Sequence, residues 1–233
     1  MVNTAKPYVV YSLYEFMTSV VPANEDMQSA KEALDSLIAS FSCPKNPDVE
    51  AFLKKQAFDH YLRRSAMTYL VFSLDSGELV GYFALALRPF ALPRSRITNS
   101  QRNRLRCSGM GKVPRAHITA DSETLEHERE CYDAAAILIG QLGRNFAADM
   151  AEKISGSELL DLAIDRIHDI QDLAGGGLAI VEAEDHPRLL EFYEKNGFKR
   201  FGVRQLSPSD TDTPSTLVQM FRLVGVRKNL SES

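Results

Sequence analysis

The chain has 233 residues, 44% of them hydrophobic and 25% charged, with a formal net charge of −4 and an isoelectric point near 5.8. This is an ordinary globular composition, long enough for one large domain or two small ones, and it argues against a general nucleic-acid binder, which is usually basic overall. Cys43, Cys107 and Cys131 are scattered, with no CxxC and no His at ligand spacing, so a disulfide framework and a zinc site are both disfavoured, no metal is expected, and a reducing cytoplasm is the expected compartment.

Residues 1–22 lack a cleavable signal layout, and their short apolar stretch carries Glu15, so no membrane span is expected. Residues 7–16, PYVVYSLYEF, are rich in β-branched and aromatic side chains and read as a first strand. Residues 24–41 place Met27, Ala30, Leu34, Leu37 and Ile38 at helical spacing. Residues 46–65 form a second amphipathic pattern, capped by Asp48 or by Asn46 with Pro47 in the first helical position. MTYLVFS (67–73) and ELVGYFALAL (78–87) are two largely apolar strands joined by LDSG, a hairpin near the middle of a sheet.

Residues 94–133 differ in character. Seven basic residues lie between Arg94 and Arg115 with no acid among them, and DSETLEHERE (121–130) reverses the sign. This reads as a long inserted loop at about 93–133, with a short helix around 98–106, and loops of that length usually carry function or are disordered. Regular patterning resumes with a buried strand at 134–145 and the longest helical pattern, 155–177, which Gly175–Gly177 end. A strand follows at 178–184. Then comes a helix at 186–197, with Asp185 as N-cap and Pro187 in its first position, and two strands, FKRFGVR and STLVQMFRLV. The order is that of a mixed sheet with helices packed on it, an α/β or α+β domain over 1–233.

Two places suggest chemistry. Ser155, Gly156 and Ser157 open the longest helix, where backbone N–H groups and the helix dipole favour an anion. The stretch EFYEKNGFKR (191–200) ends a helix at Asn196-Gly197, which accounts for the glycine but not for Tyr193. Glu182 and Glu184 share one side of the strand between these places. His60, His117, His127, His168 and His186 form no catalytic spacing.

The succession ILIGQLGRN, ISGSELLDLAI, GGLAIVEAE and LLEFYEKNGFKRFG, with its Phe192-Tyr193-x-x-x-Gly197-Phe198 ending, resembles the GNAT superfamily of N-acetyltransferases. The resemblance is clearest over 134–203 and extends to 41–90, where the front half is similar to GNAT proteins of the toxin–antitoxin type. It implies a GNAT-like mixed central sheet of about six or seven strands, helices on both faces, and two splayed parallel strands, 134–142 and 178–184. It implies acetyl-CoA as co-substrate, its pantetheine arm pairing with backbone around Ile139, Gln141 and Leu142, and its pyrophosphate on Lys153, Ser155, Gly156 and Ser157. Tyr193 would protonate the departing thiolate, with Phe192 buried as the helix anchor, and Glu182 and Glu184 are the candidate bases. Of the family's pyrophosphate turn, Gln/Arg-x-x-Gly-x-Gly/Ala, only the last glycine is present, as Gly156; the other positions hold Ala151 and Ile154.

The expected function is acetyl transfer to a primary amine by direct attack. Two other readings stand beside it: acetylation of aminoacyl-tRNA, with the basic run Arg94–Arg115 meeting phosphates, and a non-catalytic CoA-binding or interaction module. A homodimer is a candidate assembly.

Overall fold

A computed structural model describes residues 7–20, 27–93, 97–101, 103, 111–114, 130–147, 153–206 and 216–225. The described chain divides into two compact units, Met1–Ala86 with Gly140–Ala163, and Leu87–Ile139 with Ile164–Ser233.

The first unit opens with β1 (Tyr8–Ser12) and α1 (Leu13–Val20). The single strand expected over 7–16 is therefore half helix. The reason is Ser12: its Oγ accepts from the Glu15 amide at 3.1 Å, and its own amide donates to Glu15 Oε2 at 2.7 Å. This reciprocal cap, Ser-x-x-Glu, starts a helix in spite of the aromatic residues around it. Next come α2 (Met27–Ile38) and α3 (Pro47–Ala51). Asn46 is the N-cap of α3, accepting from the amides of Asp48 and Val49, with Pro47 in the first turn. The expected continuous helix then widens into a π-turn, Phe52–Gln56, before α4 (Ala57–Leu62). Tyr82 Oη donates to the Val49 carbonyl at 2.5 Å beside this widened turn.

The hairpin is as expected: β2 (Met67–Ser73) pairs antiparallel with β3 (Leu79–Pro93), and β1 pairs antiparallel with β2. The core of this unit joins Leu34, Ile38, Phe41, Phe52, Leu53, Leu70 and Tyr82. Gly143 is required by that packing, since a Cβ there would collide with Val49 and lie 2.8 Å from the Tyr82 ring.

In the second unit β4 (Gly111–Pro114) pairs antiparallel with the start of β5 (Glu130–Arg144). Part of the expected loop is thus sheet, and β5 begins four residues earlier than its apolar run. Residues 99–101 are helical, opened by a Thr98/Gln101 reciprocal cap. Residues 94–96, 102, 104–110 and 115–129, which hold most of the basic run and of the acidic stretch, lie outside the described residues.

Helix α5 (Gly156–Ala174), which contributes to both units, leads to β6 (Leu178–Glu184), α6 (Pro187–Lys195), β7 (Lys199–Gln205) and β8 (Thr216–Leu223). His186, not Asp185, is the N-cap of α6; Pro187 does stand in the first turn. Here β5 and β6 run parallel, β6 pairs antiparallel with β8, and β8 with β7. The last strand is therefore inserted between the two before it. Leu92, Ile97, Ala136, Leu178, Ile180, Phe201 and Phe221 form the core of this unit. Among the described residues no helix is long and apolar enough to cross a membrane.

Candidate active site

The parallel pairing of β5 with β6 is short. It registers at Ile137↔Ala179 and Leu138↔Ile180, whereas β6 stays paired with β8 over all seven of its residues, to Glu184↔Leu217. Beyond Ile180, β6 has a sheet neighbour on the β8 side only, among the registered pairs. Ile139 is buried next to that point, and Gln141 and Leu142 further along β5 are half-buried.

The start of α5 belongs to the first unit. Ser155 Oγ accepts from the Glu158 amide at 3.1 Å, and the Ser155 amide donates to Glu158 Oε2 at 2.8 Å. This is the same reciprocal cap as at Ser12. The Ser155 hydroxyl and amide hold the Glu158 carboxyl below the usual carboxylate range. Tyr8 Oη donates to the Lys153 carbonyl at 2.7 Å, and Arg144 donates to the Ile154 carbonyl at 3.2 Å, so the turn before the helix is pinned from two strands. The Lys153 ammonium is paired with the Glu78 carboxylate. Sequence reasoning put Lys153, Ser155, Gly156 and Ser157 in one turn as an anion cradle. They are in one turn, but the chain's own carboxylate already takes an amide there, and the lysine already has an anion. The Ser155-x-x-Glu158 spacing was the available signal for this.

In the second unit the end of α6 accounts for both Gly197 and the burial of Tyr193. Gly197 has φ +82°, the left-handed conformation that glycine adopts without penalty. The Gly197 amide donates to the Glu194 carbonyl, and the Phe198 amide to the Tyr193 carbonyl, both at 3.0 Å. These two bonds define a Schellman stop, in which the residue after the glycine packs on the helix residue five before it. That contact is Phe198 on Tyr193, ring centroids 5.5 Å apart and edge to face. Tyr193 is accordingly 7% exposed while Phe192 is half-buried, the reverse of the expected division of labour. Burial pushes the Tyr193 hydroxyl up to about 12. No described residue accepts a hydrogen bond from it.

Of the two carboxylates on β6, Glu184 is exposed and Glu182 is not. Arg204 Nη1 donates to Glu182 Oε2 at 2.9 Å and Gln219 Nε2 to Oε1 at 2.8 Å. Arg204 and Gln219 went unnoticed in the sequence because they lie 22 and 37 residues away and only the β6–β8–β7 order brings them together. Among the described residues no group of three or more His, Cys, Asp or Glu side chains is placed to hold a metal.

A short parallel pairing, a helix after the first of the two strands, an aromatic helix after the second, and a last strand inserted between its predecessors make this a GNAT-like α/β fold. Solved structures with this fold include toxins. A Tyr-to-Phe mutant of the AtaT toxin is similar at a TM-score of 0.54 and 11% identity, over 94% of this chain and 91% of that one. A Tyr-to-Phe mutant of KacT is similar at 0.53 and 14%, over 91% and 94%. AtaT complexed with acetyl-methionyl-tRNAfMet is similar at 0.51 and 13%, over 91% and 93%. No protein-family model matches the sequence, and no curated protein matches it.

Proposed function

We propose that the chain is an acetyl-CoA-dependent N-acetyltransferase that passes the acetyl group directly to a primary amine, as one domain over 1–233. The observation that carries this reading is the early end of the β5–β6 register, after Leu138 and Ile180. Backbone groups of β5 around Ile139, Gln141 and Leu142 suit the amide-bearing pantetheine arm, which pairs as a strand does. Lys153, Ser155, Gly156 and Ser157 would hold the pyrophosphate. The fit is good for the arm and conditional for the phosphates, because Glu158 occupies the Ser155 amide.

In the transfer the amine nitrogen bonds to the acetyl carbon and the carbon–sulfur bond breaks. The sulfur takes a proton and the nitrogen gives one up, so no proton is gained or lost overall. Tyr193 is the proton donor to sulfur: burial keeps its hydroxyl protonated far above neutral pH. Glu182 and Glu184 are the carboxylates available to the amine. No covalent enzyme intermediate is needed, since a thiolate is already a good leaving group.

The acceptor that the neighbours favour is aminoacyl-tRNA, because AtaT is complexed with acetyl-methionyl-tRNAfMet. Arg94–Arg115 would meet its phosphates, in a binding that weakens steeply with salt. A homodimer and a cytoplasmic location go with this reading as parts of the proposal; a non-catalytic CoA-binding module is the reading left if transfer is not found. The test is titration with acetyl-CoA by calorimetry, followed by transfer of labelled acetyl to methionyl-tRNA and to small primary amines. Binding with transfer supports the enzyme, binding alone supports the module, and no binding at millimolar acetyl-CoA sinks both.

A further inference from the structure

Glu182 belongs to a polar network built across three strands of the second unit, and we propose that this network orients the acceptor: Glu182, fixed by Arg204 and Gln219, takes the N–H groups of its primary amine. The proposal rests on the acetyl-transfer reading and adds to it the residues that position the acceptor.

The network lies in one row of the sheet. Glu182 on β6 is opposite Gln219 on β8, which is opposite Gly202 on β7. Arg204, two residues further along β7, reaches across β8 to the Glu182 carboxylate. The preceding row on the same face is Ile180 opposite Phe221, both within the apolar core. A charged pair bordering such a core costs desolvation that an aliphatic pair would not, and is weak evidence for a purely stabilising role. The glycine fits the same design. A Cβ at Gly202 would come within 3.0 Å of Gln219 Oε1, so a side chain there would push Gln219 away from Glu182.

Position gives the network its function. Ile180 is the last residue of β6 in register with β5, and alternation makes Glu182 the next side chain on its face. It is thus the first side chain on that face beyond the point where the parallel strands stop pairing, next to the β5 backbone proposed for the pantetheine arm. Its side chain is only 12% exposed, against 43% for Arg204. Each carboxylate oxygen receives one of the two donors, and an ionised carboxylate has about four lone-pair sites in all. The remaining sites accept N–H. They repel a carboxylate or phosphate. Arg204 and Gln219 fix the carboxylate's orientation, so it orients the amine, and the proton the nitrogen gives up passes on to water. Arg204 and Gln219 are positioning residues.

The experiment titrates the full chain with L-methioninamide as the primary-amine probe, and separately with acetyl-CoA, in wild type, Glu182→Gln, Arg204→Lys and Gln219→Leu. Removing a hydrogen bond to a charged group is expected to weaken methioninamide about 10- to 100-fold in Glu182→Gln. Acetyl-CoA affinity should stay within about twofold, and Arg204→Lys should fall between wild type and Glu182→Gln. In transfer assays the acceptor KM should rise while the acetyl-CoA KM does not. A merely structural pair would lower the melting temperature and shift both ligands together. Equal methioninamide affinity in wild type and Glu182→Gln overturns the assignment, as does a wild type that binds acetyl-CoA but not methioninamide. If acetyl-CoA itself does not bind, the donor reading has failed, and the acceptor assignment falls with it.

Discussion

The first turn of α5, in the first unit, and the last turn of α6, in the second, both bond backbone groups within the chain, yet they leave different things over. At the start of α5, Glu158 and Ser155 cap each other and Lys153 is paired with Glu78, so the Ser155 amide and the lysine already have partners. At the end of α6, the Schellman bonds and the Tyr193–Phe198 contact complete the helix, but the Tyr193 hydroxyl is not consumed by them. A phenylalanine would make the same stop. A helix terminus whose capping amide and lysine are already paired must give up those bonds before a ligand can use them. One that carries a polar atom its fold does not use offers a reactant.

The largest effect that sharpens this contrast is on rate. Tyr193→Phe keeps the ring packing and removes only the unused oxygen. Melting temperature and acetyl-CoA affinity should hardly change, while transfer should slow by about 10²–10⁴, the usual cost of losing a general acid. A Tyr193→Phe chain that transfers acetyl at the wild-type rate would reduce the tyrosine to a helix-stop ring. Tyr193→Ala should instead cost roughly 3–5 kcal/mol of stability in denaturant titration, as a large-to-small core change. Phe192→Ala should cost clearly less, because Phe192 is only half-buried. Equal losses would mean that Tyr193 is not the ring on which the stop is built.

The next effect is visible at alkaline pH. The folded Tyr193 hydroxyl is held up at about 12, above the ordinary value of 10. Its contribution is therefore whole below pH 10 and is lost as pH rises through 12. Two units correspond to roughly 2–3 kcal/mol. Tyr82 is raised in the same direction, and for the same reason, burial, so wild type and Tyr193→Phe should both weaken in base. The mutant should weaken less. Parallel stability curves from pH 9 to 12 would show that the Tyr193 hydroxyl is hydrated in the folded state.

How much of this was legible in the sequence depends on how local the cause is. The β2–β3 hairpin, the Pro47 and Pro187 helix starts and the Gly197 stop were readable because each depends on a few neighbouring residues. The Ser12/Glu15 and Ser155/Glu158 caps are just as local, and were readable in principle; aromatic β-propensity at Tyr8–Phe16 and the look of an anion cradle at Ser155–Ser157 masked them. The π-turn was not readable, and the Tyr82 hydroxyl that bonds the Val49 carbonyl beside it lies 33 residues away. Nor was β4, four residues that hold sheet pairing only because Glu130–Asp133 lie opposite. Phe192 was misassigned because helical periodicity around the wheel ignores what the residue after a Schellman glycine packs against.

The smallest effect tests the other half of the comparison. Glu158→Ala removes one arm of the α5 cap, which typically costs about 0.5–2 kcal/mol. In the folded state this carboxyl sits below its unfolded value, so its contribution is present above the unfolded value and is lost as pH falls through the folded one. Wild type and mutant should therefore differ in melting temperature at pH 7 and converge in acid. Donor binding gives the sharper readout. If the pyrophosphate must displace Glu158 from the Ser155 amide, the alanine variant should bind acetyl-CoA more tightly than wild type even though its fold is weaker. Gly156→Asp should abolish donor binding, because it sets a side chain and a negative charge at the same turn. If Glu158→Ala binds acetyl-CoA no better, or worse, the cap and the phosphates do not compete. The turn would then hold the donor by amides other than that of Ser155, and the contrast between the two helix ends would rest on Tyr193 alone.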